Sequence, residues 1–298
     1  MIFSKNDQVN RQFHIQVLQK LNWLYNTKPK FLATMLARLL APDERRRIIN
    51  TGSGIRFYAD PMTHIGRIMI LENEYEEKTI NIFSSEIKAG QVVLDIGANE
   101  GFFSALAGTI VGPQGTVISV EPQSRLTSLI EINMRINQVE NFFIFQNALG
   151  ENEQVETEIS LYPSMYSGQS SLVKKYKYSP VKVSETAKFV SIETILKETK
   201  VNKFDFVKVD VEGFEHKVVE TLLPFIHNGT VNKLILDYHT EILQAQNLDP
   251  MTIHQSLIEA GMVIKSSLTD PQEQGVYGTV QDLSSGKRAY LLYENKNA

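Results

Sequence analysis

The sequence predicts an open α/β fold: a mostly parallel, seven-stranded sheet with helices on both faces, preceded by a helical extension and a small β-hairpin. Three observations predict it. From Val92 onward, short apolar runs alternate with stretches of helical period, the pattern of parallel strands joined by crossover helices. The runs are almost continuously apolar, as strands buried on both faces are. Glycines and acidic residues follow the runs directly, at the carboxyl ends where such a sheet forms its ligand crevice.

Taken in order, residues 9–40 carry apolar side chains at helical spacing, with Phe13, Val17, Leu21 and Leu24 on one stripe before Pro29 interrupts, so two helices are expected. Pro42 and Asp43, followed by Arg45, Arg46 and Arg47, read as a turn into a further short helix whose arginines face solvent or gather an anion. Residues 1–53 are thus a helical extension, equally suited to a lid over the site or to a homodimer contact. Residues 54–298 form the main domain. Within 54–74, IRFYADP and IGRIMIL are short, β-branched and punctuated by Gly and Pro, which predicts a hairpin. Residues 76–87 return to a helical period, and Gly90 suits the left-handed turn that ends it.

The predicted parallel strands are 92–95, 117–121, 142–147, 204–210 and 233–239. Residues 151–190 read as an insertion with short strands, from the alternation of Val155, Ile159 and Leu161 and then Val181, Val183 and Val190. Residues 251–260 read as a helix, with 262–267 and 288–293 closing the sheet as an antiparallel pair.

With 298 residues, 42% of them hydrophobic, the chain can bury a sizeable core. A formal charge of -4 gives no electrostatic reason to expect a nucleic acid or an anionic membrane, so a small molecule is the default partner. The absence of cysteine excludes disulfides, thiolate metal sites and cysteine nucleophiles. No apolar run suits a signal peptide or a membrane span, and cytoplasmic residence is expected.

The sharpest motif runs from Val93 to Ser104, VLDIGANEGFFS. Gly97 permits a tight turn and close approach of a ligand to backbone, and Gly101 lets the following helix pack on the sheet. Asp95, at the strand end, disfavours a pyrophosphate and suits a cationic ligand. The Gly-x-x-x-Gly spacing also lacks the Gly-x-Gly-x-x-Gly of nicotinamide dinucleotide sites. Glu121, ending the second strand, can accept hydrogen bonds from both hydroxyls of a ribose. Asn147 and Ala148, in the Asn-Ala-Leu-Gly run after the third strand, are placed to border an adenine, although an Asn beside a turn Gly is also ordinary turn chemistry.

In these motifs the chain resembles the FkbM family of methyltransferases, over roughly residues 75–239. The motifs are Asp-x-Gly-Ala-Asn-x-Gly-x-x-Ser at 95–104, Glu121-Pro122, Asn147 to Gly150, Ser170-Ser171-Leu172 and, most specifically, VKVDVEGFE at 207–215. Position 100 departs from the family pattern, with Glu100 where Ile or Val is usual. The resemblance implies a Rossmann-like class I methyltransferase fold, S-adenosylmethionine as methyl donor and a small-molecule hydroxyl acceptor, often a sugar or secondary metabolite. It implies donor contacts from Tyr75, Asp95, Gly97, Asn99, Gly101, Phe102, Ser104, Glu121, Asn147, Ala148 and Asp210.

Methyl transfer is an in-line displacement driven by the sulfonium, so the protein must align the reactants, expel water and help a hydroxyl lose its proton. His239, Asp210 and Glu212, at the ends of the fourth and fifth strands, are the candidate catalytic groups, with a neutral His239 as the natural base at pH 7. A mechanism without metal is expected. The alternative is a magnesium-type cation on Asp210, Asp237 and His239. Tyr162, Tyr166, Tyr176 and Tyr178 in the insertion suit stacking on a sugar ring or simple packing. A nicotinamide oxidoreductase and a non-catalytic nucleotide-binding module are the competing classes.

Overall fold

The structure, a computed structural model, describes residues 46–61, 63–161, 183–266 and 278–298. The helices expected in residues 9–40, Arg45, Ser170-Ser171-Leu172 and the four insertion tyrosines lie outside the described residues. Those described fall into two compact units, 46–80 with 161 and 183, and 81–160 with 184–298.

The smaller unit opens with an antiparallel hairpin of β1 (Arg47–Asn50) and β2 (Arg56–Ala59), Arg47 facing Ala59 and Asn50 facing Arg56. This corrects two expectations. The arginine segment is a strand rather than a helix start, because β2 takes up its backbone groups. Arg46 donates to the Tyr58 carbonyl at 3.0 Å and lies 4.0 Å from Asp60, so it braces the hairpin. The IGRIMIL segment is a helix, α1 (His64–Glu72), not the second strand. Thr63 caps it by accepting from the Gly66 amide, and Ile65, Met69 and Ile70 bury one face at helical spacing. The hairpin's other strand therefore lies upstream, and the border expected after residue 53 falls in its turn, where the Thr51 amide donates to Ile55 at 2.9 Å. The helix expected over 76–87 is α2 (Glu77–Glu86), and Gly90 beyond it takes a φ of +81°.

The larger unit is built on β3 (Val92–Ile96), β4 (Thr116–Val120), β5 (Phe142–Phe145), β9 (Phe204–Val209), β10 (Val231–Tyr238), β11 (Met262–Ser266) and β12 (Ala289–Asn295). They form one seven-stranded sheet in the order β11-β12-β10-β9-β3-β4-β5. The pairs within β5-β4-β3-β9-β10 are parallel, and β12 runs antiparallel to both β10 and β11, the closing arrangement the sequence predicts. All six residues of central β9 are buried. Each of its large apolar side chains contributes about 1.5 to 3 kcal/mol by leaving water.

The connections are α3 (Phe102–Val111) after β3, α4 (Ser124–Ile136) after β4 and α6 (Glu215–His227) after β9. The insertion supplies β6 (Ala148–Leu149), β7 (Glu156–Leu161) and β8 (Val183–Val190), a three-stranded sheet in the order β6-β8-β7. It leads into a helix the sequence reading did not name, α5 (Ile192–Thr199), capped by the Ser191 side chain on the Thr194 amide. After β10 come α7 (Thr240–Ala245), α8 (Pro250–Glu259) and, ahead of β12, α9 (Val280–Ser284). The order reverses at β3, where one crossover leads to β4 and another places β9 on the opposite side. Such a reversal is where an open α/β sheet places its ligand crevice, at the carboxyl ends of the strands. Among the described residues no helix is long and apolar enough to cross a membrane.

Candidate active site

The chain turns from β3 into α3 through Gly97, Asn99 and Gly101, all at positive φ (81°, 51° and 81°). A Cβ on Gly97 would stand 1.9 Å from the carbonyl oxygen of Asp210, so only glycine lets this turn lie against the end of β9. Gly101 is pressed on α4: its Cβ would come 2.8 Å from Ile130 Cα. The close neighbour of Gly101 is therefore a helix and not the sheet that the sequence reading expects.

Asp95 does not face the crevice. It is fully buried, accepts a hydrogen bond from Ser104 Oγ at 2.7 Å, and lies 3.5 Å from the buried ammonium of Lys208. Ser119 donates in turn to Ser104 at 2.8 Å. Asp95, Ser104 and the buried Phe102 thus hold the first turn of α3 from inside. Glu121 closes the loop from β4, accepting from the Asn99 amide at 2.9 Å and the Gln123 amide at 3.0 Å. Burial pushes its carboxyl up to about 7, with the Asp95 charge adding to the rise and the two backbone donors opposing it.

Asn147 and Ala148 join the insertion to the main sheet. The Asn147 amide reaches the carbonyls of Lys188 and Phe189 at 3.3 and 3.4 Å, and Ala148 pairs with Phe189. Tyr75 belongs to the smaller unit, its amide 3.3 Å from Glu74 Oε1.

Beyond β9, Glu212 and Gly213 both take positive φ (50° and 97°), folding Asp-Val-Glu-Gly into a tight turn before α6. This turn and the end of the adjacent β10 bring the three expected catalytic residues together. His239 Nε2 lies 3.5 Å from Glu212 Oε2 and 3.8 Å from Asp210 Oδ1. Its Nδ1 bonds to Glu215 Oε1 at 2.7 Å, and Glu215 also accepts from the Gly213 amide at 2.9 Å. The imidazole is 7% exposed and Glu215 0%, whereas the Asp210 and Glu212 side chains are about a quarter exposed.

Burial alone would discharge the His239 ring, but Asp237, Glu212 and Glu215 outweigh it and raise its pKa well above the ordinary value. Asp210 lies below the ordinary carboxylate range: burial works against its charge, but Lys208, His239 and Arg288 prevail. Burial and the neighbouring Asp210 hold Glu212 above that range, although His239 pulls the other way.

Asp237, expected as an alternative metal ligand, is instead gripped by both arms of the Arg288 guanidinium, Nε at 2.8 Å from Oδ1 and Nη2 on Oδ2. Among the described residues, the acid and histidine groups that could hold a metal ion are Asp210, Glu212 and His239, with one ligand atom of each within 4.8 Å of the others. Lys208, Glu215 and Arg288 were not named as site residues. Strand alternation holds a signal for the first, since Lys208 shares a face with Asp210 and pairs in register with Asp95. Glu215 closes the VKVDVEGFE motif, which carries a signal for it, whereas no local signal marks Arg288, whose partner Asp237 is 51 residues away.

The methyltransferase FkbM domain model matches residues 95–249. No curated protein matches the chain. Among solved structures, fibrillarin from Aeropyrum pernix, determined with natively bound S-adenosyl-L-methionine, is 13% identical with a TM-score of 0.41, covering 73% of this chain and 74% of that one. The Methanococcus jannaschii fibrillarin pre-rRNA processing protein is 12% identical at 0.43, covering 86% and 84%. An rRNA methylase from Streptococcus thermophilus is 8% identical at 0.42, covering 73% and 94%. Likenesses this distant say nothing about the acceptor. With the family model spanning more than half of its length, the chain belongs to the FkbM methyltransferase family and is an S-adenosylmethionine-dependent methyltransferase.

Proposed function

We propose that the protein is an O-methyltransferase acting on a hydroxyl of a small molecule, a sugar or a secondary metabolite. The observation that carries this reading is the meeting of Asp210, Glu212 and His239 directly beside the Gly97 turn. An alkyl hydroxyl needs a group to manage its proton, and a cluster of two carboxylates and an imidazole supplies one.

In this reading Gly97, Asn99 and Gly101 would hold the donor, Glu121 would accept from its ribose hydroxyls, and Asp210 would contact it at the other end of the turn. Asp95, Phe102 and Ser104 support the loop from behind, and Asn147 and Ala148 frame the adenine side. The acceptor oxygen attacks the methyl carbon, the C–S bond breaks with its electron pair returning to sulfur, and the sulfonium becomes the neutral thioether of S-adenosylhomocysteine. The hydroxyl proton goes to the carboxylates. They are part-exposed at the mouth, while His239 lies behind them against Glu215.

The test is a panel of glycosides and polyhydroxylated metabolites assayed with methyl-labelled donor. Label in an alkali-stable ether on one acceptor class is the expected result. Label found only as methyl ester, or on nitrogen, RNA or protein, would overturn the reading.

A further inference from the structure

We propose that Asp210, Glu212 and His239 bind a divalent cation that holds and polarises the acceptor hydroxyl. Its role in catalysis rests on the O-methyl transfer proposed above; the cation site itself stands on geometry.

One candidate ligand atom from each of the three residues lies within 4.8 Å of the others. An octahedral ion with ligands at about 2.1 Å needs neighbouring ligand atoms about 3.0 Å apart and opposite ones about 4.2 Å apart. The two distances from His239 Nε2, 3.5 and 3.8 Å, fall between these limits.

The more telling observation is Nε2 itself. It is buried, faces two carboxylates and makes no hydrogen bond. Charge-assisted N–H···O bonds close to about 2.7 to 2.9 Å. At 3.5 and 3.8 Å the two carboxylates stand beyond that distance, which leaves room for a ligand between the three groups. The other nitrogen is already committed at 2.7 Å to the fully buried Glu215. A carboxylate on the far nitrogen fixes the tautomer of a ligating histidine, with Nδ1–H donated outward and the Nε2 lone pair aimed at the metal. Glu215 is thereby the positioning residue of the site.

The neighbouring side chains agree with this assignment. Lys208 lies 3.4 Å from Asp210 Oδ2, and Oδ1 is the oxygen that faces His239. Arg288 engages both oxygens of Asp237, which removes that residue from the ligand set. Two carboxylates and a neutral imidazole balance a divalent charge and leave three positions for water and an acceptor oxygen. Two oxygens and one nitrogen suit Mn²⁺ or Mg²⁺, the nitrogen favouring Mn²⁺. A hydroxyl bound there loses its proton more readily, and the proton leaves through part-exposed Glu212.

Mn²⁺ titration of the full chain, followed by the loss of its free-ion paramagnetic resonance signal, tests the site. One Mn²⁺ per chain is expected, displaced by excess Mg²⁺. Asp210→Asn, Glu212→Gln and His239→Ala should each weaken it at least tenfold, and Glu215→Gln by about tenfold. Glu212→Gln, at a part-exposed position, keeps the test sound if the buried variants fail to fold. Failure of Mn²⁺ to bind folded protein that still binds S-adenosylhomocysteine overturns the cation site and leaves O-methyl transfer standing. Mn²⁺ binding that survives Glu212→Gln and His239→Ala in folded protein also overturns it. Weakening in both variants, with label found only on nitrogen, supports the site and overturns the hydroxyl acceptor.

Discussion

Gly97 lies against the carbonyl oxygen of Asp210 across the ends of neighbouring strands β3 and β9, with no room for a single methyl group between them. The turn assigned to the donor and the turn that begins the acid-histidine cluster are therefore one packed unit. Displacing either one displaces the other.

Gly97→Ala is the direct probe of that contact. The φ of +81° costs an alanine about 1 to 2 kcal/mol before any collision is counted. A lowered melting temperature and at least tenfold weaker S-adenosylhomocysteine binding are expected in calorimetry. Unchanged affinity in a well-folded variant would separate the two turns.

Lys208 is a buried cation 3.5 Å from Asp95 and 3.4 Å from Asp210. Removing one partner of a buried pair leaves an uncompensated charge, so Lys208→Met should cost about 3 kcal/mol in urea unfolding. The same substitution made over Asp95→Asn should cost clearly less. An equal cost in both backgrounds would show that the two side chains are not coupled.

Glu121 makes a prediction with pH. Its carboxyl is raised to about 7 in the folded chain, so the folded state binds the proton more tightly than the unfolded state does. Its contribution to stability is therefore complete below the unfolded value and is lost as pH rises to about 7, by about 3 kcal/mol in all. Ribose hydroxyls donate to the charged form, so affinity for S-adenosylhomocysteine should rise about tenfold from pH 6 to 8, and binding at pH 6 should release close to one proton. Calorimetry in buffers of different ionisation enthalpy reads that proton. Its absence, or the same release from Glu121→Gln, would contradict the assignment.

Arg288→Ala strands the buried Asp237. The arginine is half exposed, which softens the loss to about 2 to 3 kcal/mol in urea unfolding. Adding Asp237→Asn should recover part of it; a double variant as unstable as the sum of the single ones would not fit.

The sheet was legible because its strands carry their own signal: 204–209 holds Phe204, Phe206, Val207 and Val209, and the apolar run from Val92 passes directly into Asp95-Ile96-Gly97. So was the meeting of Asp210, Glu212 and His239, since parallel neighbours end on the same side of a sheet. The hairpin was misread because Ile65, Met69 and Ile70 in a β-branched run look like strand until Thr63 is recognised as a cap. The burial of Asp95 was not legible, because a strand-end position does not reveal that Ser104 and Lys208 close on the carboxylate. The His239 environment was hidden for a related reason. Its charge state depends on Glu215, 24 residues away, and on Asp237.

Calorimetric titration of the purified chain with S-adenosylmethionine, S-adenosylhomocysteine and NAD, repeated on Glu121→Ala, tests the central claim most directly. Stoichiometric binding of the two sulfur nucleotides, at least tenfold weaker in the variant and with no uptake of NAD, is the predicted result. Folded protein that binds neither sulfur nucleotide, or that prefers NAD, would contradict it.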